Sequence, residues 1–248
     1  MLKRSILLIF IAVMMLRAES ITVAVSANAQ YAAKAICDNF QKWSGIGVKT
    51  VVSSSGKLTA QIERGAPFDL FLSADMRYPE YLKREGYAVS EPKVYAFGGL
   101  ILWSLKGLDL KNGVLSLKGA KIEHLAIPNP KSAPYGKEAL KVLKGAGIYE
   151  DIKPKLVYAE SVSQTNRYIA SKAVDAGITA KSVIFSPKMG GVGKYVEVDD
   201  SLYDPIRQGV VILKHAKEGR ESEAKAFYDY LFSQEGREIL KKYGYRVP

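Results

Sequence analysis

Three consecutive serines, Ser53, Ser54 and Ser55, followed by Gly56, stand where a β-branched run over 48–52 gives way to a stripe in which Leu58 and Ile62 lie four apart. That spacing puts the serines at a helix start. The first four backbone N–H groups of a helix lack intrahelical partners and carry the positive end of its dipole, so an oxyanion is a natural occupant there. Serine hydroxyls add donors without adding charge, and Gly56 lets the main chain approach a bound group closely. The simpler reading is that one serine caps the helix and the others are solvated. The residues downstream weigh against it. GAPFDLFLSAD turns at 65–67, runs through Leu70, Phe71 and Leu72 as a buried parallel strand, and offers Asp75 as the cap of a further helix over 76–86.

Other chemistries find less support. Ser54 and Lys57 satisfy the S-x-x-K spacing of exported serine acyl-enzymes, but the companion motifs S-D-N and K-T-G are absent. G-x-S-x-G does not occur. The run Gly190 to Lys194 lacks the first P-loop glycine and is followed by Tyr195 where Ser or Thr is needed, so it reads as a turn. His124 and His215 are the only histidines, and neither has a second metal ligand at helical or turn spacing. The carboxylates are scattered, and no acid/base pair stands out.

The chain opens with Lys3 and Arg4, an apolar core over 6–16, and the small-x-small site Ala18-Glu19-Ser20, the organisation of a cleaved secretory signal over 1–20. The apolar core is too short to span a membrane. Removing 1–20 lowers the formal charge from +11 to +9. A basic balance favours anionic partners in general, but no run of five basic residues and no aromatic-basic motif points to nucleic acid. Cys37 stands alone, so no internal disulfide is possible, and its helical setting reads as packing.

The remaining chain alternates strands and helices, the pattern of an α/β fold. A strand over 21–25 leads through a polar loop into a helix whose stripe is Ala29, Ala33, Ile36, Phe40 and Trp43, with Trp43 expected in the core. The run YAFGGLILWS over 95–104 suits a crossing between two lobes. Strands are expected over 122–127, 155–159 and 174–179, with helices over 137–144 and 164–172. A return crossing is expected near 201–208, and two C-terminal helices broken near 233–236 come back to cover the first lobe. The expected boundaries are lobe 1 over 21–98 and 205–248 and lobe 2 over 99–204. Each half then carries two polar strand-to-helix loops, and ligands of open α/β sheets bind at such carboxyl ends.

The pattern SSS-x-x-L-x-x-QIE-x-GAP-x-DLF-x-SAD, carried here from Ser53 to Asp75, resembles the signature of periplasmic molybdate-binding proteins of ABC importers. The ending F-x-x-YL…YGY is similar to theirs too. The resemblance implies a two-lobed type II periplasmic-binding-protein fold with two crossings. It implies a monomer that holds molybdate or tungstate by neutral donors and delivers it to a membrane permease, with no cofactor and no catalysis. By this resemblance the anion contacts fall on the side-chain N–H of Asn28, where the family has serine, on Ser55, and on the backbone of Tyr135 and Val162. A tyrosine that some members carry has Ala180 in its place, and the hydroxyl of Tyr135 or Tyr168 is a candidate substitute. An all-donor site suits a fully deprotonated anion. A protonated phosphate needs an acceptor; Glu160, bordering the fourth loop, keeps phosphate open, and sulfate stays open as well.

Overall fold

The computed structural model describes residues 20–119, 122–187 and 189–248; the expected signal over 1–20 lies almost wholly outside them. The strands are β1 (Ile21–Ser26), β2 (Val48–Ser53), β3 (Leu70–Leu72), β4 (Lys93–Gly98), β5 (Leu100–Ser104), β6 (Leu125–Pro128), β7 (Leu156–Ala159), β8 (Ala176–Ala180), β9 (Lys194–Glu197) and β10 (Ile206–Ile212). The α-helices are α1 (Gln30–Ser44), α2 (Ser55–Glu63), α3 (Arg77–Arg84), α4 (Ser116–Gly119), α5 (Pro134–Gly145), α6 (Tyr149–Ile152), α7 (Val162–Ala170), α8 (Glu221–Leu231) and α9 (Gln234–Lys242).

Two five-stranded sheets result, in the orders β2-β1-β3-β10-β4 and β7-β6-β8-β5-β9. They share one plan. In each, three parallel strands are continued by an antiparallel pair: β10 joins β3 and β4, and β5 joins β8 and β9. The inner parallel strands β1, β3, β6 and β8 are buried on both faces, as Leu70, Phe71 and Leu72 are, because helices cover both sides, whereas the parallel edge strands β2 and β7 are largely exposed or half-buried. The chain leaves the first sheet at Gly98, enters the second at Leu100, and returns between β9 and β10. Two lobes joined by two crossings follow. Helices α8 and α9 pack on α1 in the first lobe through Phe40, Phe227, Leu231 and Leu240.

Some expectations needed correction. Trp43 is 69% exposed instead of core. In the last turn of α1 its indole stacks on the ring of Tyr230 at 5.7 Å and lies tilted at 6.1 Å from Phe40, and these contacts leave most of it exposed. Strand β6 starts at Leu125, three residues later than expected, because Asp175 Oδ2 takes the N–H groups of Glu123 and His124, both at 2.8 Å. Strand β9 was not expected, since its side chains are mostly exposed and carry no burial pattern. Cys37 is packed as read, and burial pushes its thiol up to about 12.

Asp175 also receives Lys106 Nζ at 2.7 Å, tying the end of β5 to the entry of β6. Burial opposes its ionisation, but Lys106 and the two backbone donors prevail and lower its pKa from 3.8 to about 2. A carboxylate depressed in the folded state contributes stability above its unfolded pKa and loses it as pH falls through the folded value. The expected result is a loss of about 2 kcal/mol between pH 4 and pH 2 from this group. Asp175→Asn should remove that portion of the acid transition, which denaturant melts at stepped pH would reveal.

Candidate anion site between the lobes

The carboxyl ends of β1, β2, β6 and β7 converge where the lobes meet. Each leads into a helical turn, β1 directly into 3₁₀ at Ala27–Ala29, β2 and β7 across short connections into α2 and α7, and β6 across the loop 129–133 into α5. Those first-turn N–H groups have no carbonyl four residues back within their helices. One small cavity lies among them. It is lined by Ser26, Ala27, Asn28, Ser54, Ser55, Ala74, Ala133, Pro134, Tyr135 and Val162, with about 180 Å³ of space between its walls. The cavity is narrow, and the residues that line it leave no room for a sugar-sized solute.

Asn28, Ser55, Tyr135 and Val162 therefore come together on one cavity, though 134 positions separate the first from the last. Their side chains are deployed differently from the sequence expectation. Asn28 Nδ2 donates to Gln208 Oε1 at 2.5 Å and to Tyr245 Oη at 3.4 Å, while its carbonyl accepts from Ser182 Oγ and Tyr245 Oη. The amide is thus engaged with the first lobe's own wall. Ser55 Oγ pairs with Ser26 Oγ at 2.6 Å and accepts from Ala74 N at 3.1 Å. When Ser26 supplies the proton of that pair, the Ser55 proton is released toward the cavity.

The Tyr135 hydroxyl is turned to Gly98. A Cβ on Gly98 would overlap it and would stand 3.0 Å from Gln208 Nε2, so the ring reaches from α5 to the crossing strand of the other lobe. Burial raises this phenol far above its usual range. The Asn28 side chain is near enough to favour its ionisation slightly, but not at hydrogen-bond geometry. Tyr168, the other candidate hydroxyl, packs beside Ile101, Trp103 and Ile169, away from the cavity.

Contacts across the cleft hold the lobes together. Gly56 N donates to Ser132 O at 2.9 Å, Lys57 Nζ meets Glu160 Oε2 at 3.0 Å, and Ser182 Oγ reaches Asn28 O at 2.7 Å. Gly56 therefore permits approach of the opposite lobe, with Ser132 Cα 3.1 Å from where a Cβ would be, and not approach of a ligand as its sequence position suggested. Glu160 is turned outward to Lys57 and does not line the cavity. No Asp or Glu is among the lining residues. Ser26, Ala74 and Ser182 were missed by sequence reading; Ser26 and Ala74 sit at carboxyl ends of parallel strands, the one signal available.

Fold and site together define a two-lobed α/β protein that closes on a small solute between its lobes. The chain belongs to the bacterial extracellular solute-binding protein family, whose pattern matches residues 21–246. It is 41% identical over 231 residues to the molybdate-binding protein ModA of Rhodobacter capsulatus, covering 92% of this chain and 88% of that one. It is 38% identical to ModA of Azotobacter vinelandii, with 92% and 90% covered. The solved periplasmic molybdate-binding protein of Azotobacter vinelandii superposes with a TM-score of 0.87 at 33% identity, over 92% of this chain and all of that one. A sulfate-binding protein of Mycobacterium tuberculosis, 16% identical with a TM-score of 0.74, shares the fold.

Proposed function

We propose that this chain captures molybdate, and tungstate with it, in the periplasm and presents the ion to the membrane permease of an ABC importer, making and breaking no bond. It acts as a monomer, freed of residues 1–20, with lobe 1 formed by 21–98 and 205–248 and lobe 2 by 99–204. The ion is held by the backbone N–H groups of Asn28, Tyr135 and Val162 and by Ser55. The observation that carries this reading is where unpaired buried polar atoms gather. Of five such side-chain atoms among the described residues, Ser54 Oγ and Tyr135 Oη belong to cavity-lining residues, Gln208 Nε2 to the partner of Asn28, and Ser163 Oγ to the residue after Val162. Buried polar groups are rarely left unpaired, so Ser54 Oγ, on the cavity wall, supports a place built for a ligand, whereas Tyr135 Oη is turned to Gly98, and Gln208 and Ser163 do not line the cavity.

The donor set also bears on which anion. With Glu160 held by Lys57, a hydrogen phosphate would bring a proton for which no lining carboxylate is an acceptor. The serine acyl-enzyme alternative lacks a base, since Lys57 is turned to Glu160 and Ser54 Oγ has no partner. Melting residues 21–248 with molybdate, tungstate, sulfate or phosphate tests the reading. At one hundred times the Kd, a ligand adds about 2.7 kcal/mol, a rise of roughly 5–10 °C at this size. Molybdate and tungstate are expected to produce it. A rise with sulfate alone would overturn the substrate, and none with any anion would overturn the site.

A further inference from the structure

We infer that Ser54 is a direct anion donor, supplying from lobe 1 the hydroxyl that Ala180 does not supply from lobe 2. The inference rests on the oxyanion reading above. Ser54 stands at the N-cap of α2, where a serine ordinarily turns its hydroxyl onto a first-turn N–H. It does not do so here. Ser161 caps α7 through Gln164 N at 3.3 Å, and Ser233 caps α9 through Gly236 N at 3.1 Å, but Ser54 makes no cap bond. Its side chain is 3% exposed, its Oγ has no partner of any kind, and it lines the cavity.

Most other hydroxyls nearby are engaged, and of the unpaired ones Ser163 Oγ is not on the cavity lining. Ser26 and Ser55 bond each other, with Ser55 also holding Ala74 N. Ser182 is given to Asn28 O and Thr59 to Ser55 O. The Tyr135 hydroxyl lies against Gly98, as described. Ala180, at the end of β8, carries no polar group, so lobe 2 offers main-chain donors and no such hydroxyl from that position. Leaving a buried hydroxyl both uncapping and unpaired is a cost that an anion on its proton removes, through a charge-assisted bond stronger than the cap it gives up.

The test is calorimetric titration of the mature chain with sodium molybdate, with melting in its absence, for wild type, Ser54→Ala, Ser54→Gly and Ser54→Thr. Because no cap bond is lost, Ser54→Ala should melt close to wild type without molybdate while its Kd rises roughly ten- to hundredfold. Ser54→Gly, tolerated at an N-cap, removes the hydroxyl by a second route and should show the same loss. Ser54→Thr restores a hydroxyl and should bind within about threefold of wild type, given that only the hydroxyl donates. A merely structural serine would give the reverse, a lower melting point with Kd unchanged. Wild-type affinity in Ser54→Ala or Ser54→Gly overturns the inference while the molybdate reading stands. Failure of wild type to bind molybdate overturns both.

Discussion

Gly136→Ala is expected to destabilise the protein by roughly 3 kcal/mol and to weaken molybdate binding by more than tenfold at the same time. Gly136 sits in the first turn of α5 directly over the end of β6. A Cβ there would fall inside the Pro128 carbonyl oxygen, 2.7 Å from Pro128 C and 3.0 Å from Asn129 C. Those are backbone atoms of a buried strand end and its loop, and Asn129 is itself fixed by donating its N–H to Ala159 O at 2.7 Å. The strand cannot yield cheaply, so the helix start must lift. Tyr135 precedes Gly136 and supplies one of the two backbone donors proposed for lobe 2, so the same displacement moves that N–H away from the ion. Denaturant melts and calorimetry on one preparation check both halves. Unchanged affinity in a destabilised variant would show that the α5 turn does not hold the ion.

Ser55→Ala is expected to have the largest effect on binding, a loss of roughly a hundredfold or more, with about 1–3 kcal/mol of stability lost even without ligand. Two consequences follow from one atom. The cavity loses a hydroxyl, and Ala74 N and Ser26 Oγ, both buried, lose the partner that joins the end of β1 to the turn after β3. Ser26→Ala separates them. It removes one bond of the pair but leaves Ser55 Oγ on Ala74 N, so its stability loss should be smaller and its affinity near wild type. If Ser26→Ala instead matches Ser55→Ala in both readouts, Ser55 acts through the local hydrogen-bond cluster and not on the anion. Melting without ligand and titration with molybdate distinguish these outcomes.

The amino-acid sequence by itself determined the α/β alternation, the three parallel strands opening the first lobe, the crossing at Gly98 and Gly99, and the four loops from which the cavity is built. These are local signals. Apolar runs bounded by turns mark buried strands, and a polar residue between a strand and a helical stripe marks a helix start, whatever the rest of the chain does. The tertiary structure decided what each side chain does once it arrives. Asn28 gives its amide to Gln208, 180 residues away, and the hydroxyl of Tyr135 crosses to the other lobe. Glu160 is withdrawn by Lys57 across the cleft, and Trp43 is left largely exposed with Tyr230 of α8 stacked on it. None of these partners lies within a helical or strand period of the residue it engages. Side-chain hydrogen bonding and burial at such positions are set by which surfaces meet when two lobes close, and periodicity along a chain carries no record of that.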